Sequence, residues 1–190
     1  MKPPIIVIDN YDSFTYNLVH LLKEMDQEVL VWRNDQFELD EVEAFNKILL
    51  SPGPGLPKDS GNLMPLIERY HSTKDILGVC LGMQALAEFY GGKLLNLTHP
   101  FHGVQSELIV KDQDAPLYKN YPTDAKIGRY HSWVVDPESF PEDLQITAVD
   151  GADWIMGIRH KLHNVRGIQF HPESVLTDFG EVIIKNWTDL

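Results

Sequence analysis

The stretch Asp75-Ile76-Leu77-Gly78-Val79-Cys80-Leu81-Gly82-Met83-Gln84-Ala85-Leu86-Ala87-Glu88-Phe89-Tyr90 carries the decisive reading. The short apolar run Ile76-Leu77-Gly78-Val79 predicts a buried strand over Asp75–Val79. From about Met83 to Tyr90 the pattern is helical, and Gly91-Gly92 ends it. The lone cysteine, Cys80, stands where strand gives way to helix, inside Gly78-Val79-Cys80-Leu81-Gly82. That is the nucleophile-elbow arrangement with sulfur in place of oxygen. A sharp strand-to-helix turn forces the side chain out above the sheet, and glycines on either side remove Cβ atoms that would clash there. The following helix aims N–H groups and its positive end at the sulfur, favouring the thiolate. The Leu81 N–H is placed to donate to an oxyanion. A cysteine in this position could also be plain core; the flanking glycines favour the nucleophile.

The same alternation extends toward the N-terminus. Ile5-Ile6-Val7-Ile8, Glu28 to Trp32 and Lys47-Ile48-Leu49-Leu50 read as strands. Between them lie a helix from about Phe14 to Met25, capped by Asp12 or Ser13 with Phe14, Leu18, Leu21 and Leu22 on one face, and a helix from about Asn62 to Tyr70. Strand–helix repetition of this kind predicts an α/β fold with a mostly parallel or mixed central sheet flanked by helices. Further on, Glu107 to Val110, Trp133 to Asp136, Gln145 to Val149, Trp154 to Arg159 and Gly167 to Phe170 read as strands with polar turns. His160 to Val165 fits a hairpin turn, and a last helix is expected from about Phe179 to Trp187. With no internal repeat, low-complexity tract or linker, residues 1–190 read as one domain.

Composition narrows the function classes. The chain has 190 residues, 43% hydrophobic and 23% charged, which suits a globular protein with a real core. With 28 acidic against 16 basic residues the net charge is −12, which disfavours nucleic-acid binding. The acidic cluster from Asp35 to Glu43 reads as a solvated face. One cysteine excludes an internal disulfide. The opening Met1-Lys2-Pro3-Pro4 and the four apolar residues before Asp9 are too short for a signal core, and no run is long enough to span a membrane. A cytoplasmic location is expected.

A thiol nucleophile needs a base to take its proton and return it to the leaving group. Of the histidines, His171 stands out within Gln169-Phe170-His171-Pro172-Glu173-Ser174. In an extended segment Glu173, two residues on, would lie on the same side and could bond one imidazole nitrogen. His99 with His102, and His160 with His163, have i, i+3 spacing, but nothing nearby completes a ligand set, so no metal is expected. Ser51-Pro52-Gly53-Pro54-Gly55 leaves the third strand at the sheet edge shared with the elbow, where ligands bind in open α/β folds. It is either a rigid connection or the source of a second oxyanion donor, from Gly53 or Gly55.

Taken together, Ile8-Asp9-Asn10-Tyr11-Asp12-Ser13-Phe14-Thr15-Tyr16-Asn17-Leu18, Leu50-Ser51-Pro52-Gly53-Pro54-Gly55, Gly78-Val79-Cys80-Leu81-Gly82-Met83-Gln84, Arg129-Tyr130-His131-Ser132 and Gly167-Ile168-Gln169-Phe170-His171-Pro172-Glu173-Ser174 resemble the class I (triad) glutamine amidotransferases. Within them the chain is similar to the small subunits of anthranilate synthase and aminodeoxychorismate synthase. The resemblance implies a flavodoxin-like fold and a glutaminase that supplies ammonia to a large chorismate-using synthase subunit, in tryptophan or folate biosynthesis. It implies catalytic Cys80, His171 and Glu173, with Cys80 forming a γ-glutamyl thioester. An oxyanion hole would come from Gly53, Gly55 and Leu81. L-glutamine would be held by Gly53, Pro54, Gly55, Gln84 and the backbone at Ser132 and Trp133. No cofactor is implied on this chain, while Mg²⁺ is expected on the partner, the heteromer as a whole being a lyase. The Asn10 to Ser13 segment is similar to one near the partner-facing end of the sheet. Two departures stand out: Trp133 replaces a frequent Leu, and Phe101-His102-Gly103-Val104 replaces Met-His-Gly-Lys. The other readings are a stand-alone cysteine hydrolase and a non-catalytic interaction subunit, both separable by experiment.

Overall fold

A computed structural model describes residues 3–190; Met1 and Lys2, read above with the N-terminal stretch, lie outside them. In chain order the strands are β1 (Ile5–Asp9), β2 (Val29–Arg33), β3 (Lys47–Leu50), β4 (Asp75–Val79), β5 (Leu94–Asn96), β6 (Val104–Glu107), β7 (Ile109–Val110), β8 (Lys126–Arg129), β9 (Trp133–Val135), β10 (Leu144–Val149), β11 (Ile155–His160) and β12 (Val165–Ile168). The helices are α1 (Thr15–Glu24), α2 (Leu63–Tyr70), α3 (Leu81–Phe89) and α4 (Gly180–Thr188).

Eight strands form the main sheet in the order β2-β1-β3-β4-β12-β11-β10-β7. The first five are mutually parallel, and β11, β10 and β7 extend them antiparallel. The parallel part has the flavodoxin-like order, so the expected fold class holds. Alternate side chains of the parallel strands feed two cores. Ile5, Val7, Leu49, Leu77 and Ile168 pack with α1 and α4. Ile6, Ile8, Ile48, Leu50 and Ile76 pack with α2 and α3. Burial on both faces is what the uninterrupted β-branched runs require.

Parallel strands bring all their C-terminal ends to one edge. The residues that follow β1, β3, β4 and β12 therefore meet: Asn10, Ser51, Cys80 and Gln169. The loop after β1 is tied to the loop after β3, since Asn10 N donates to Ser51 Oγ at 2.9 Å and Asn10 Nδ2 to Ser51 O at 2.8 Å.

Several details differ from the sequence reading. Helix α3 starts at Leu81, not Met83, so Cys80 itself is its N-cap. The predicted strand over Glu107 to Val110 is two strands in different sheets, β6 pairing with β8 and β7 with β10. Strands β5 and β8 are additional, β5 pairing with β9. Asp12 does not cap α1 at its N-cap position, which Phe14 occupies; its Oδ1 instead accepts from Phe14 N at 2.8 Å. Among the described residues no helix is long and apolar enough to cross a membrane.

Candidate active site

Cys80 adopts φ 53° and ψ −105°, a left-handed backbone that a non-glycine residue takes only when its surroundings impose it. Two close approaches impose it. A Cβ on Gly78 would fall 2.5 Å from the Gly82 backbone, and one on Gly82 would fall 2.5 Å from Leu50 O. The elbow is further pinned by Cys80 N donating to Ile168 O at 2.8 Å and Gln84 N donating to Cys80 O at 3.0 Å. The thiol is free and buried at the start of α3, where unpaired helix N–H groups favour negative charge.

His171 and Glu173 arrive from beyond β12. Glu173 Oε1 lies 2.7 Å from His171 Nδ1, and both side chains are almost wholly shielded from solvent. The segment is not extended as expected. Ser174 N donates to His171 O at 3.2 Å, closing a turn that swings Glu173 back under the imidazole. A buried carboxylate facing an imidazole fixes Nδ1 as the protonated nitrogen and leaves Nε2 for chemistry. Nε2 makes no hydrogen bond of its own, and neither does Glu173 Oε2. Burial alone pushes the imidazole pKa down. The Cys80 sulfur and the Glu173 hydrogen bond, with the charge on each, outweigh it and raise the group to about 10. Phe14 and Tyr130 pack around the ring, their centroids 5.2 Å and 5.1 Å from it. The Tyr130 hydroxyl lies 2.8 Å from Ser174 Oγ.

In front of Cys80 is a cavity of about 130 Å³, lined by Gly53, Pro54, Gly55, Cys80, Gln84, Tyr130, His131, Ser132 and Trp133. Seven of these are residues singled out in the sequence. Tyr130 and His131 are additions, and their only sequence signal is their place inside the Arg129–Ser132 motif. Gly53 sits directly against the elbow, since a Cβ there would fall 2.6 Å from Leu81 Cδ2.

Behind the cavity wall is a polar network that sequence reading missed. Arg129 is fully buried and ion-paired with Asp150, and its guanidinium carbon lies 3.6 Å from the centroid of the Phe101 ring. Its Nε donates to His131 Nε2 at 3.1 Å, and His131 Nδ1 lies 3.0 Å from Trp133 O. Burial first, and the Arg129 charge second, push the His131 pKa down to about 3. Gln84 Nε2 donates to Trp133 O at 2.9 Å and to Gln169 Oε1 at 3.1 Å.

No group of three or more acidic, histidine or cysteine side chains suited to a metal occurs among the described residues. His160 and His163 stack with centroids 4.4 Å apart and His71 packs on His163, all beside Tyr90 at the far end of α3.

A cysteine on a strained elbow, backed by a buried histidine–carboxylate pair and set beside a small polar cavity, is the equipment for acyl transfer through a thioester. The family model for class-I glutamine amidotransferases matches residues 6–189, and the chain belongs to that family. Among its relatives is anthranilate synthase component 2 of Pseudomonas aeruginosa, 42% identical, with 96% of this chain and 94% of that protein covered. Anthranilate synthase component 2 of Thermus thermophilus is also 42% identical, covering 97% of this chain and 91% of the relative. A crystal structure of a protein assigned as part of a GMP synthase, from Thermoplasma acidophilum, superposes with a TM-score of 0.87 at 23% identity, covering 98% and 92% of the two chains. That likeness speaks for the shared fold.

Proposed function

We propose that the whole chain acts as one glutamine amidotransferase domain, the glutaminase subunit of anthranilate synthase, which releases ammonia from L-glutamine for a large chorismate-using subunit in tryptophan biosynthesis. The observation that carries the chemistry is the buried Glu173–His171 pair set beside Cys80 on its elbow. The relatives named anthranilate synthase component 2 support the pathway.

In the reaction, the Cys80 thiolate attacks the side-chain amide carbon of glutamine, and the carbonyl oxygen becomes an oxyanion. The Leu81 N–H and a backbone N–H from Gly53 or Gly55 receive that charge. His171, protonated at Nε2, gives its proton to the departing ammonia as the tetrahedral adduct collapses to a γ-glutamyl thioester. His171 then takes a proton from water, whose oxygen attacks the thioester, and glutamate leaves as the thiolate re-forms. Glu173 holds the imidazole in one tautomer and stabilises its cationic form. Gln84, Pro54 and the backbone at Ser132 and Trp133 hold the amino-acid end of the substrate. Trp133 contributes through its main chain, so its departure from the common Leu is compatible with the role.

The test combines the chain with an anthranilate synthase large subunit, chorismate, Mg²⁺ and glutamine, and follows anthranilate fluorescence. Signal requiring both glutamine and Cys80, and lost in Cys80→Ala, is expected. Product formed from added ammonia but not from glutamine would overturn the pathway assignment and direct the test to an aminodeoxychorismate synthase large chain.

A further inference from the structure

Gln169 follows β12 directly, and its side chain is completely buried. Its Nε2 lies 3.5 Å from Cys80 Sγ, a reach that suits the large sulfur atom. Side-chain amides are ambiguous end for end, so the polarity of this contact must be settled by the groups around it.

Here the surroundings settle it. Arg129 can only donate, so the His131 Nε2 that faces its Nε must accept. His131 therefore carries its proton on Nδ1, which donates to the Trp133 carbonyl. That carbonyl can only accept, so the Gln84 atom facing it is the NH₂ group. The other N–H of the same NH₂ points at Gln169, whose facing atom must be the oxygen. The remaining end of Gln169, the one against the sulfur, is then its NH₂ group. A main-chain carbonyl and a permanent cation thus fix every link between Asp150 and the nucleophile.

Resting on the glutaminase reading of Cys80, we infer that Gln169 is a further catalytic residue of this site: its carboxamide N–H donates to the Cys80 sulfur and stabilises the thiolate, both before attack and as the leaving group of thioester hydrolysis. A thiolate accepts such a hydrogen bond far better than a thioester sulfur, because acylation removes the negative charge that the donor answers. The bond therefore weakens when the thioester forms and is regained when it breaks. In the second half-reaction the carbon–sulfur bond cleaves, the electron pair stays on sulfur, and the Gln169 N–H receives it. Gln84 is the positioning residue behind this contact, because it holds the Gln169 oxygen and so keeps the donor turned to sulfur.

The plainer account makes Gln169 a buried amide whose only job is to satisfy Gln84. The two accounts part at the thiol. Cys80 is the sole cysteine, so its alkylation by iodoacetamide can be followed by mass spectrometry across pH 5 to 10, with no partner or glutamine present. A hydrogen bond to a charged acceptor moves such a titration by about one to two pH units. In Gln169→Met, verified as folded by circular dichroism, the half-maximal pH of alkylation is expected to rise by about that much, with the high-pH plateau unchanged. Superimposable profiles in the folded variant would overturn the role of Gln169. The unsubstituted chain supplies a second reading that needs no variant to fold. In ¹H–¹⁵N spectra one glutamine side-chain amide must shift with the midpoint of Cys80 alkylation and stop titrating once Cys80 is alkylated. Absence of any such amide overturns the inference as well. A wild-type Cys80 unreactive throughout the range would instead count against the glutaminase reading itself.

Discussion

Glu173 Oε1 touches His171 Nδ1 at 2.7 Å although only Pro172 separates the two residues, because the chain turns back on itself between them. The turn makes the pair a rigid local unit. His171 N donates to Gly128 O at 3.1 Å and Thr177 Oγ1 donates to His171 O, so β8 and the following loop grip its backbone. Buried, and with its second oxygen free of hydrogen bonds, the Glu173 carboxylate directs its charge at a single partner.

Replacing that charge while keeping the shape should therefore strike turnover. Glu173→Gln is expected to lower kcat for glutamine hydrolysis by about 10²-fold or more, the scale of general acid–base assistance, with KM changed much less. Glutamate release in a coupled assay measures it, and an unchanged kcat would remove Glu173 from the mechanism.

Proton affinity at His171 also links the site to stability. Its pKa is raised from 6.5 to about 10 in the folded chain, so folding holds this proton more tightly than the unfolded state does. The contribution is complete below about pH 6.5 and is lost as pH rises through about 10. Urea denaturation of the wild type and His171→Asn at a series of pH values should show the gap between them narrowing from pH 6 to pH 10. A gap that widens on going alkaline would contradict the sign.

Asp150 is predicted to matter although it lies outside the cavity. It neutralises buried Arg129 and also accepts from Ala152 N at 2.9 Å and Trp154 N at 2.8 Å. Asp150→Asn leaves a buried guanidinium uncompensated and should cost about 3–5 kcal/mol of stability, read from the urea midpoint. A loss below about 1 kcal/mol, within the range of exposed pairs, would mean that the pair is solvated in solution.

Gly82→Ala tests the elbow without touching a reacting atom. The added methyl would meet Leu50 O at 2.5 Å, main chain that cannot step aside. About 1–3 kcal/mol of destabilisation is expected from overpacking, together with slower alkylation of Cys80 by iodoacetamide as the elbow shifts. Alkylation at the wild-type rate would show that the sulfur's placement does not depend on this contact.

The parallel half of the fold was legible because its strands carry unbroken apolar runs, Ile5 to Ile8, Ile48 to Leu50 and Ile76 to Val79, separated by helices with clear faces. Strands β5 and β8 were not. Each is three or four residues long, pairs with a single neighbour and carries polar side chains such as Asn96, Lys126 and Arg129, so neither period nor hydrophobicity marks it. In the site, Cys80 and the glycine-rich turn were visible because their chemistry needs particular residues in sequence. The pairing of Arg129 with Asp150 and of Gln169 with Cys80 was hidden, because 21 and 89 residues separate the partners and only the folded sheet brings them together. The His171–Glu173 pairing was foreseen, but its turn was not: Pro172 fits either backbone, and the deciding bonds come from Gly128 and Thr177.

The lock on His131 reaches into physiology. A ring whose pKa is about 3, clamped between a permanent donor and a main-chain oxygen, keeps one protonation state through every acidity a cell survives. The cavity wall that His131 belongs to consequently does not respond to protons near neutrality. Whatever enters the cavity therefore meets the same donors and acceptors on that side in a neutral cell and in a mildly acidified one.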